Sequence, residues 1–299
     1  MAASIHDCDL LNALEDWEYK GEDNIRVCGS HLNRQAESLI HFLAGTAFAC
    51  KIYWPFFQQI VPDYDLICHD YKGHGDSDNG DGEFDGWQAC TERALTLAKL
   101  KGLEQEPRPV IGMGHSYGGA MTIIMAAKQP ELFSALVLID PFMVTESSEQ
   151  RYRSMTDFLV AKTREKEHRW QNEADVKAYM ASRFMFKDWH PEAVAAFIKF
   201  NMNKHDDGSL TLKCHGTVEA GVYDDKVTAL WPSIRNLTVP AIILSGDQTV
   251  PFFAEAHEEA AALKDNIELI KVKGGHNYMQ EYPRENAEMV RNAIKKLGY

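Results

Sequence analysis

The sequence is poor in positive charge and has no long apolar run. Its 299 residues include 31 Lys and Arg against 44 Asp and Glu, which gives a formal net charge of -13 at pH 7. An acidic protein repels phosphate backbones and anionic lipid surfaces, so we expect no nucleic-acid partner. No apolar stretch approaches the roughly 20 residues that a membrane-spanning helix needs. We therefore expect no membrane span.

A secretion signal is also missing from the first residues. The segment MAASIHDCDLLNALEDWE is interrupted by Asp7, Asp9, Glu15 and Asp16, and it has no basic region followed by an apolar stretch. Cysteines stand at positions 8, 28, 50, 68, 90 and 214, and none forms a C-x-x-C pair. Six scattered cysteines in a chain of this length favour a reducing compartment. We expect a cytoplasmic protein, with a mature secreted form as the alternative.

Metal-binding motifs are absent as well. The 12 histidines include no H-E-x-x-H pattern, and the lack of C-x-x-C pairs removes the common zinc spacings. We therefore predict that the protein uses neither a metal nor another cofactor.

Short apolar runs alternate with amphipathic helical patterns along most of the chain. The runs cover residues 38–44, 64–69, 109–113, 135–139, 241–244 and 267–272, and the helical patterns cover 87–101, 120–128, 253–263 and 284–297. Most runs do not alternate with polar residues, which is typical of strands covered on both faces of a parallel sheet. The pattern predicts an α/β fold, a mostly parallel central sheet flanked by helices.

The alternation stops after Pro141 and resumes near Pro240. Three helical patterns lie between, over residues 148–170, 173–184 and 191–202. We interpret residues 142–236 as an inserted helical cap, or lid, on a core formed by residues 1–141 and 237–299. Large apolar side chains are frequent in this segment. They could line an apolar tunnel, but the cap's own core explains most of them.

One serine stands among glycines where a strand gives way to a helix. The stretch VIGMGHSYGGAM contains G-x-S-x-G, with Gly114 and Gly118 on either side of Ser116. A serine on such a sharp turn needs small neighbours two positions away on each side, and its hydroxyl is exposed at the carboxyl edge of the sheet. The pattern predicts that Ser116 is a nucleophile. We expect the adjacent His115 to be structural, because it points away from Ser116.

The sequence resembles the α/β-hydrolase family over nearly its whole length. The matching segments, in order, are AGTAF at 44–48, DYKGHGDS at 70–77, the serine turn, GDQTVP at 246–251 and GGH at 274–276. The sequence departs from the family at Ala44, where a supportive histidine usually stands. It also departs in the shortened segment 246–251, which carries the expected acid.

The resemblance implies a lidded serine hydrolase with a Ser-Asp-His chain order. Ser116 would be the nucleophile, His276 the base and Asp247 the acid that orients the imidazole, with Asp140 in LVLIDP as the alternative acid. The backbone N–H groups of Tyr117 and Thr46 would form the oxyanion hole.

We predict from this set the cleavage of a small apolar carboxylic ester through an acyl-enzyme. Hydrolysis of a carbon–carbon bond in a ring-cleavage product, of a thioester or of a lactone would use the same triad and stays an alternative. A non-catalytic small-molecule receptor on the same scaffold is the hypothesis from another class. The sequence leaves a homodimer open.

Overall fold

The central sheet has eight strands, and the computed structural model describes residues 9–166 and 168–299. The strands of the protein are β1 (Glu15–Lys20), β2 (Arg26–Leu32), β3 (Leu39–Leu43), β4 (Asp65–His69), β5 (Val110–His115), β6 (Ala135–Ile139), β7 (Arg169–Trp170), β8 (Met202–Lys204), β9 (Leu210–Leu212), β10 (Ala241–Gly246) and β11 (Ile267–Val272). The sheet order is β1-β2-β4-β3-β5-β6-β10-β11. The last six strands in that order, from β4 to β11, are parallel to one another. Strand β2 pairs antiparallel with β4, and β1 pairs antiparallel with β2.

Helices cover both faces of the sheet. They are α1 (Asp9–Asn12), α2 (Trp54–Phe57), α3 (Trp87–Leu100), α4 (Tyr117–Lys128), α5 (Glu149–Arg164), α6 (Glu173–Ser182), α7 (Pro191–Asn201), α8 (Gly216–Asp224), α9 (Leu230–Asn236), α10 (Pro251–Leu263), α11 (Tyr278–Glu281) and α12 (Pro283–Lys296). Among the residues that the structure describes, no helix combines the length and apolar character needed to cross a bilayer. The predicted α/β fold with a mostly parallel sheet is confirmed.

The apolar runs became strands because both of their faces are buried. Along β3, Ile40 and Phe42 belong to a cluster that includes residues of α2, α7 and α12. Leu39 and Leu43 belong to the cluster on the other face, with residues of α3, α4, α9 and α10. Since successive side chains of a strand point to opposite faces, a strand between two helical layers buries its side chains on both faces, and most of them are apolar.

Strands β1 and β2 were not expected from the sequence. The stretch EDWEYK of β1 carries three acidic residues, and its side chains are exposed or half-buried. An antiparallel edge strand needs only one covered face, so it has no continuous apolar run. For this reason β1 cannot be predicted from continuous apolar runs.

The segment between β6 and β10 is not all-helical, so that expectation is wrong. Helices α5, α6 and α7 lie within the three predicted patterns, but β7, β9 and β8 form a small antiparallel sheet beside them. Strands β8 and β9 are a hairpin whose turn contains Gly208 with φ +83°. The Asp-Gly pair at this turn is the sequence signal that could have indicated it. The extent of the cap as a unit, residues 142–236, stays a prediction.

Candidate active site

Ser116 lies at the sharp turn between β5 and α4. Its backbone has φ 52° and ψ -116°, a region that costs a non-glycine residue of order 1–3 kcal/mol. The strained turn is held by two hydrogen bonds. The Ser116 N–H donates to the Ile139 carbonyl at 3.1 Å, and the Phe142 N–H donates to the Ser116 carbonyl at 2.8 Å. Both tie the turn to the end of β6, so the neighbouring strand fixes the direction of the hydroxyl.

The glycines around Ser116 are required by close backbone approach. A Cβ at Gly114 would lie 2.3 Å from the Gly118 carbonyl oxygen, and a Cβ at Gly118 would lie 2.2 Å from the Leu43 carbonyl oxygen. Neither obstacle is a flexible side-chain end, so neither can move aside. The turn thus brings the start of α4 against the end of β3, at Leu43 and Ala44.

His276 follows β11 and contacts Ser116 directly. Its Nε2 lies 2.9 Å from the Ser116 Oγ, and its Nδ1 lies 2.6 Å from Oδ2 of Asp140. A carboxylate accepts hydrogen bonds, so Nδ1 carries the proton and the Nε2 lone pair faces the serine hydroxyl. This arrangement can take a proton from the hydroxyl, which is what a base beside a nucleophile must do.

Asp140 is completely buried at the end of β6. Its Oδ1 accepts the Gly246 N–H at 2.8 Å, and its Oδ2 accepts from His276 and from the Thr249 hydroxyl. Burial by itself would raise the pKa of Asp140. The hydrogen bonds and charges of His276, His257 and Thr249 outweigh burial and hold that pKa below its usual range. The carboxylate therefore stays ionised beside the imidazole.

The expectation that Asp247 is the acid against His276 is wrong in this structure. The Asp247 side chain is exposed, and its Oδ1 accepts the Gly274 N–H at 2.9 Å. The alternative, Asp140, occupies the position because β6 lies between β5 and β10 in the sheet. The segment 246–251 does follow β10, but the groups that it directs at the site are the Gly246 N–H and the Thr249 hydroxyl, which both bind Asp140.

The backbone N–H groups of Thr46 and Tyr117 have no acceptor within the described part of the chain. Thr46 lies in the loop after β3, where Ala47 has φ 64°, and Tyr117 begins α4. We call residues 45–49 the oxyanion loop. The N–H groups of Thr46 and Tyr117 are the two that the family resemblance implies as oxyanion donors. Their use as oxyanion donors stays a proposal.

A side chain from the predicted cap holds the oxyanion loop, and no local sequence pattern indicates this contact. The buried Asn201 at the end of α7 accepts the Ala49 N–H at 2.7 Å and donates to the Ala47 carbonyl at 2.9 Å. One amide thus satisfies a donor and an acceptor of the same loop. Its partners lie about 150 positions earlier in the chain, and no local motif connects them.

We predict that Asn201→Ala lowers the free energy of unfolding by about 2 kcal/mol, because it leaves a buried N–H and a buried carbonyl unpaired. It should also lower kcat about tenfold through the displaced loop. Urea denaturation and steady-state kinetics measure the two effects. The matched control is Asn203→Ala on the exposed face of β8, which should stay within about 0.5 kcal/mol of the wild type. Equal behaviour of the two variants would contradict the prediction.

A cavity of about 460 Å³ opens beside His276. Its lining residues come from the predicted cap and from the loops after β10 and β11: Phe184, Met185, Lys187, Asp188, Gln248, Thr249, Val250, Pro251, Gly275, His276, Asn277 and Glu281. Most large apolar residues of the segment 142–236 do not reach it. Trp170, Trp189 and Phe197 are buried in the main core, whereas Phe184 and Met185 are exposed and form the cavity wall.

Comparison with known proteins identifies the family. A model of the alpha/beta hydrolase family matches residues 39–289. The chain is 24% identical over 252 residues to 2-(acetamidomethylene)succinate hydrolase of Mesorhizobium japonicum, which covers 83% of this chain and 84% of that protein. It is 31% identical over 110 residues to lipase LipV of Mycobacterium tuberculosis, covering 36% and 38% of the two chains.

Among solved structures, the crystal structure of E-2-(acetamidomethylene)succinate hydrolase superposes with a TM-score of 0.78. The superposition covers 94% of this chain and 99% of that chain at 20% sequence identity. At this identity the comparison shows that the two proteins share a fold. The family match itself runs from β3 into α12 and contains every side chain placed at the site above. On these grounds the chain belongs to the alpha/beta hydrolase family and is a hydrolase.

Proposed function

We propose that the protein hydrolyses small carboxylic esters with a triad of Ser116, His276 and Asp140. The observation that carries the proposal is the continuous chain of hydrogen bonds, 2.9 Å from serine to imidazole and 2.6 Å from imidazole to carboxylate. A serine hydroxyl is a weak nucleophile at neutral pH and needs such a base. A non-catalytic small-molecule receptor would not require this alignment of serine, imidazole and carboxylate.

In the first half-reaction the Ser116 Oγ attacks the ester carbonyl carbon while His276 Nε2 takes the hydroxyl proton. The carbonyl oxygen becomes negatively charged and accepts hydrogen bonds from the N–H groups of Thr46 and Tyr117. The carbon–oxygen bond to the leaving alcohol then breaks, and His276 gives its proton to that oxygen. The product is an acyl-enzyme on Ser116 and a free alcohol.

In the second half-reaction a water molecule replaces the alcohol. His276 takes a proton from the water as its oxygen attacks the acyl carbon, and the same N–H groups bind the oxyanion. The bond to Ser116 Oγ breaks, and His276 returns its proton to the serine. The carboxylic acid leaves. Asp140 stabilises the imidazolium in both halves without itself taking a proton.

The cavity beside His276 supports an uncharged, partly apolar substrate. Phe184, Met185 and Val250 supply apolar surface. The single cation, Lys187, lies 3.5 Å from the carboxylate of Asp188, and Glu281 also lines the cavity. With one positive and two negative side chains, the cavity is a poor site for a dicarboxylate such as the succinate derivative in the name of the Mesorhizobium relative. We therefore place this chain with ester-cleaving relatives such as lipase LipV.

The test is covalent labelling with a fluorophosphonate, followed by peptide mass spectrometry. We expect the wild-type protein to gain one label on Ser116 and to hydrolyse short p-nitrophenyl esters. Ser116→Ala should do neither while keeping its circular dichroism spectrum. The nearby Ser147→Ala, with an exposed serine, is the matched control and should label normally. A wild-type protein that neither labels nor hydrolyses any ester, thioester or lactone of a panel would refute the proposal.

A further inference from the structure

A buried tyrosine and a buried histidine connect the oxyanion loop to the loop of His276. The Tyr53 hydroxyl lies 2.7 Å from Nδ1 of His115 and accepts the Gly45 N–H at 3.0 Å. The other ring nitrogen of His115, Nε2, lies 3.0 Å from the main-chain carbonyl oxygen of His276. Both side chains are almost completely excluded from solvent. Three separate segments therefore meet at two side chains.

The direction of every hydrogen bond in this chain is determined by chemistry. The His276 carbonyl can only accept, so His115 Nε2 must carry a proton. Burial, with the neighbouring imidazole of His276, lowers the pKa of His115 to about 3, so its ring is neutral and has one N–H. Nδ1 must then accept, and the Tyr53 hydroxyl donates to it. The Tyr53 oxygen remains free to accept from Gly45.

The position of the His115 ring leaves no room for a side chain at residue 45 of the oxyanion loop. A Cβ at Gly45 would lie 2.7 Å from His115 Nδ1, so glycine is needed for the histidine ring to occupy this position. The Phe48 ring lies nearly parallel to the ring of His115, with 6.5 Å between ring centres and 10° between planes. Ala44, where the family resemblance implies a histidine, offers the loop no polar support. Tyr53 supplies a hydrogen bond to the next residue.

We propose that Tyr53 and His115 are positioning residues that set the relative placement of the oxyanion donors and the catalytic imidazole. The proposal rests on the ester-hydrolase function above. Gly45 directly precedes Thr46, the proposed oxyanion donor, and the His276 main chain carries the ring that contacts Ser116. The hydrogen bonds through Tyr53 and His115 couple the oxyanion loop rigidly to the His276 main chain. The oxyanion donor and the base are thereby held at a fixed distance suited to one reacting carbonyl. A misplacement of about 1 Å in such a site can cost a hundredfold in rate.

The test compares three variants by kcat, KM and rate of fluorophosphonate labelling. Tyr53→Phe removes one hydroxyl and should lower kcat about tenfold with KM within about twofold, because the substrate cavity is unchanged. His115→Phe removes both bonds and should lower kcat about a hundredfold. His115→Gln should recover most of that loss, since its amide N–H occupies the place of the ring Nε2–H and can reach the His276 carbonyl. Labelling rates should fall in the same order as kcat.

The matched control is Tyr64→Phe, a buried tyrosine outside the site, which should keep wild-type kcat. Tyr53→Phe and His115→Phe with kcat within twofold of wild type would overturn the proposal. His115→Gln no more active than a folded His115→Phe would overturn it too, because the recovered donor would then have no effect. Failure of the wild-type protein to label would instead refute the ester-hydrolase proposal, so the two failures are distinguishable.

Discussion

Asp140→Asn is expected to lower kcat about 10⁴-fold while KM changes little. An amide in place of the carboxylate presents an N–H to His276 Nδ1, which favours the tautomer with its proton on Nε2. That tautomer has no lone pair facing the Ser116 hydroxyl. The fold should survive, because the remaining amide oxygen can still accept the Gly246 N–H. Steady-state kinetics on p-nitrophenyl acetate measure the loss.

Asp247→Asn is the matched control, since it makes the same change one strand away. Asparagine can still accept the Gly274 N–H through its amide oxygen, so this variant should keep kcat within about threefold of wild type. The opposite result, an active Asp140→Asn and an inactive Asp247→Asn, would return the acid to the residue that the sequence alone favoured. Circular dichroism of both variants shows whether the fold is intact.

Stability should fall steeply when the pH is lowered from 7.5 to 5. Burial lowers the pKa of His41 and His74 to about 4, and that of His69 and His115 to about 3. In the unfolded chain each histidine takes up a proton near pH 6.5, whereas in the folded protein it stays neutral. Protonation therefore favours the unfolded state across this range.

The expected size follows from the same linkage. Each buried histidine costs about 2 kcal/mol at pH 5, and four independent histidines cost about 8 kcal/mol. Burial raises the pKa of Asp70 to about 6, so this carboxyl takes up its proton first in the folded protein and offsets about 1 kcal/mol at pH 5. The difference is comparable to the whole stability of an ordinary domain, roughly 5–15 kcal/mol.

Urea denaturation at several pH values between 5 and 7.5 measures this dependence. His41→Met should reduce the loss of stability between pH 7.5 and pH 5 by about 2 kcal/mol, whatever its effect on stability at pH 7.5. His205→Gln, at an exposed histidine, is the matched control and should leave the slope unchanged. A free energy of unfolding that stays constant down to pH 5 would contradict the expectation.

The sequence by itself indicated the strands that are buried on both faces and the sharp turn at Ser116. These features are local, since a continuous apolar run or a glycine spacing is dictated by neighbours a few positions away. The antiparallel strands β1 and β2 and the small sheet of the cap segment were not predicted, because strands with interspersed polar residues and very short strands have no such run. Polar residues such as Asn201 and Tyr53 gave no signal, because their partners come from distant parts of the chain.

Sequence alone therefore determined the α/β fold, through the alternation of apolar runs and helical patterns along the chain. It also selected Ser116 and His276, each from a motif contained in one short segment, and their roles as nucleophile and base stay a proposal. Only the tertiary structure decided between Asp140 and Asp247. Both residues directly follow a parallel strand, so the sequence pattern around them does not distinguish one from the other. The order of strands places β6 next to β5, and this lateral order arises from packing of the whole sheet. A carboxylate reaches His276 from the strand that the fold brings near it.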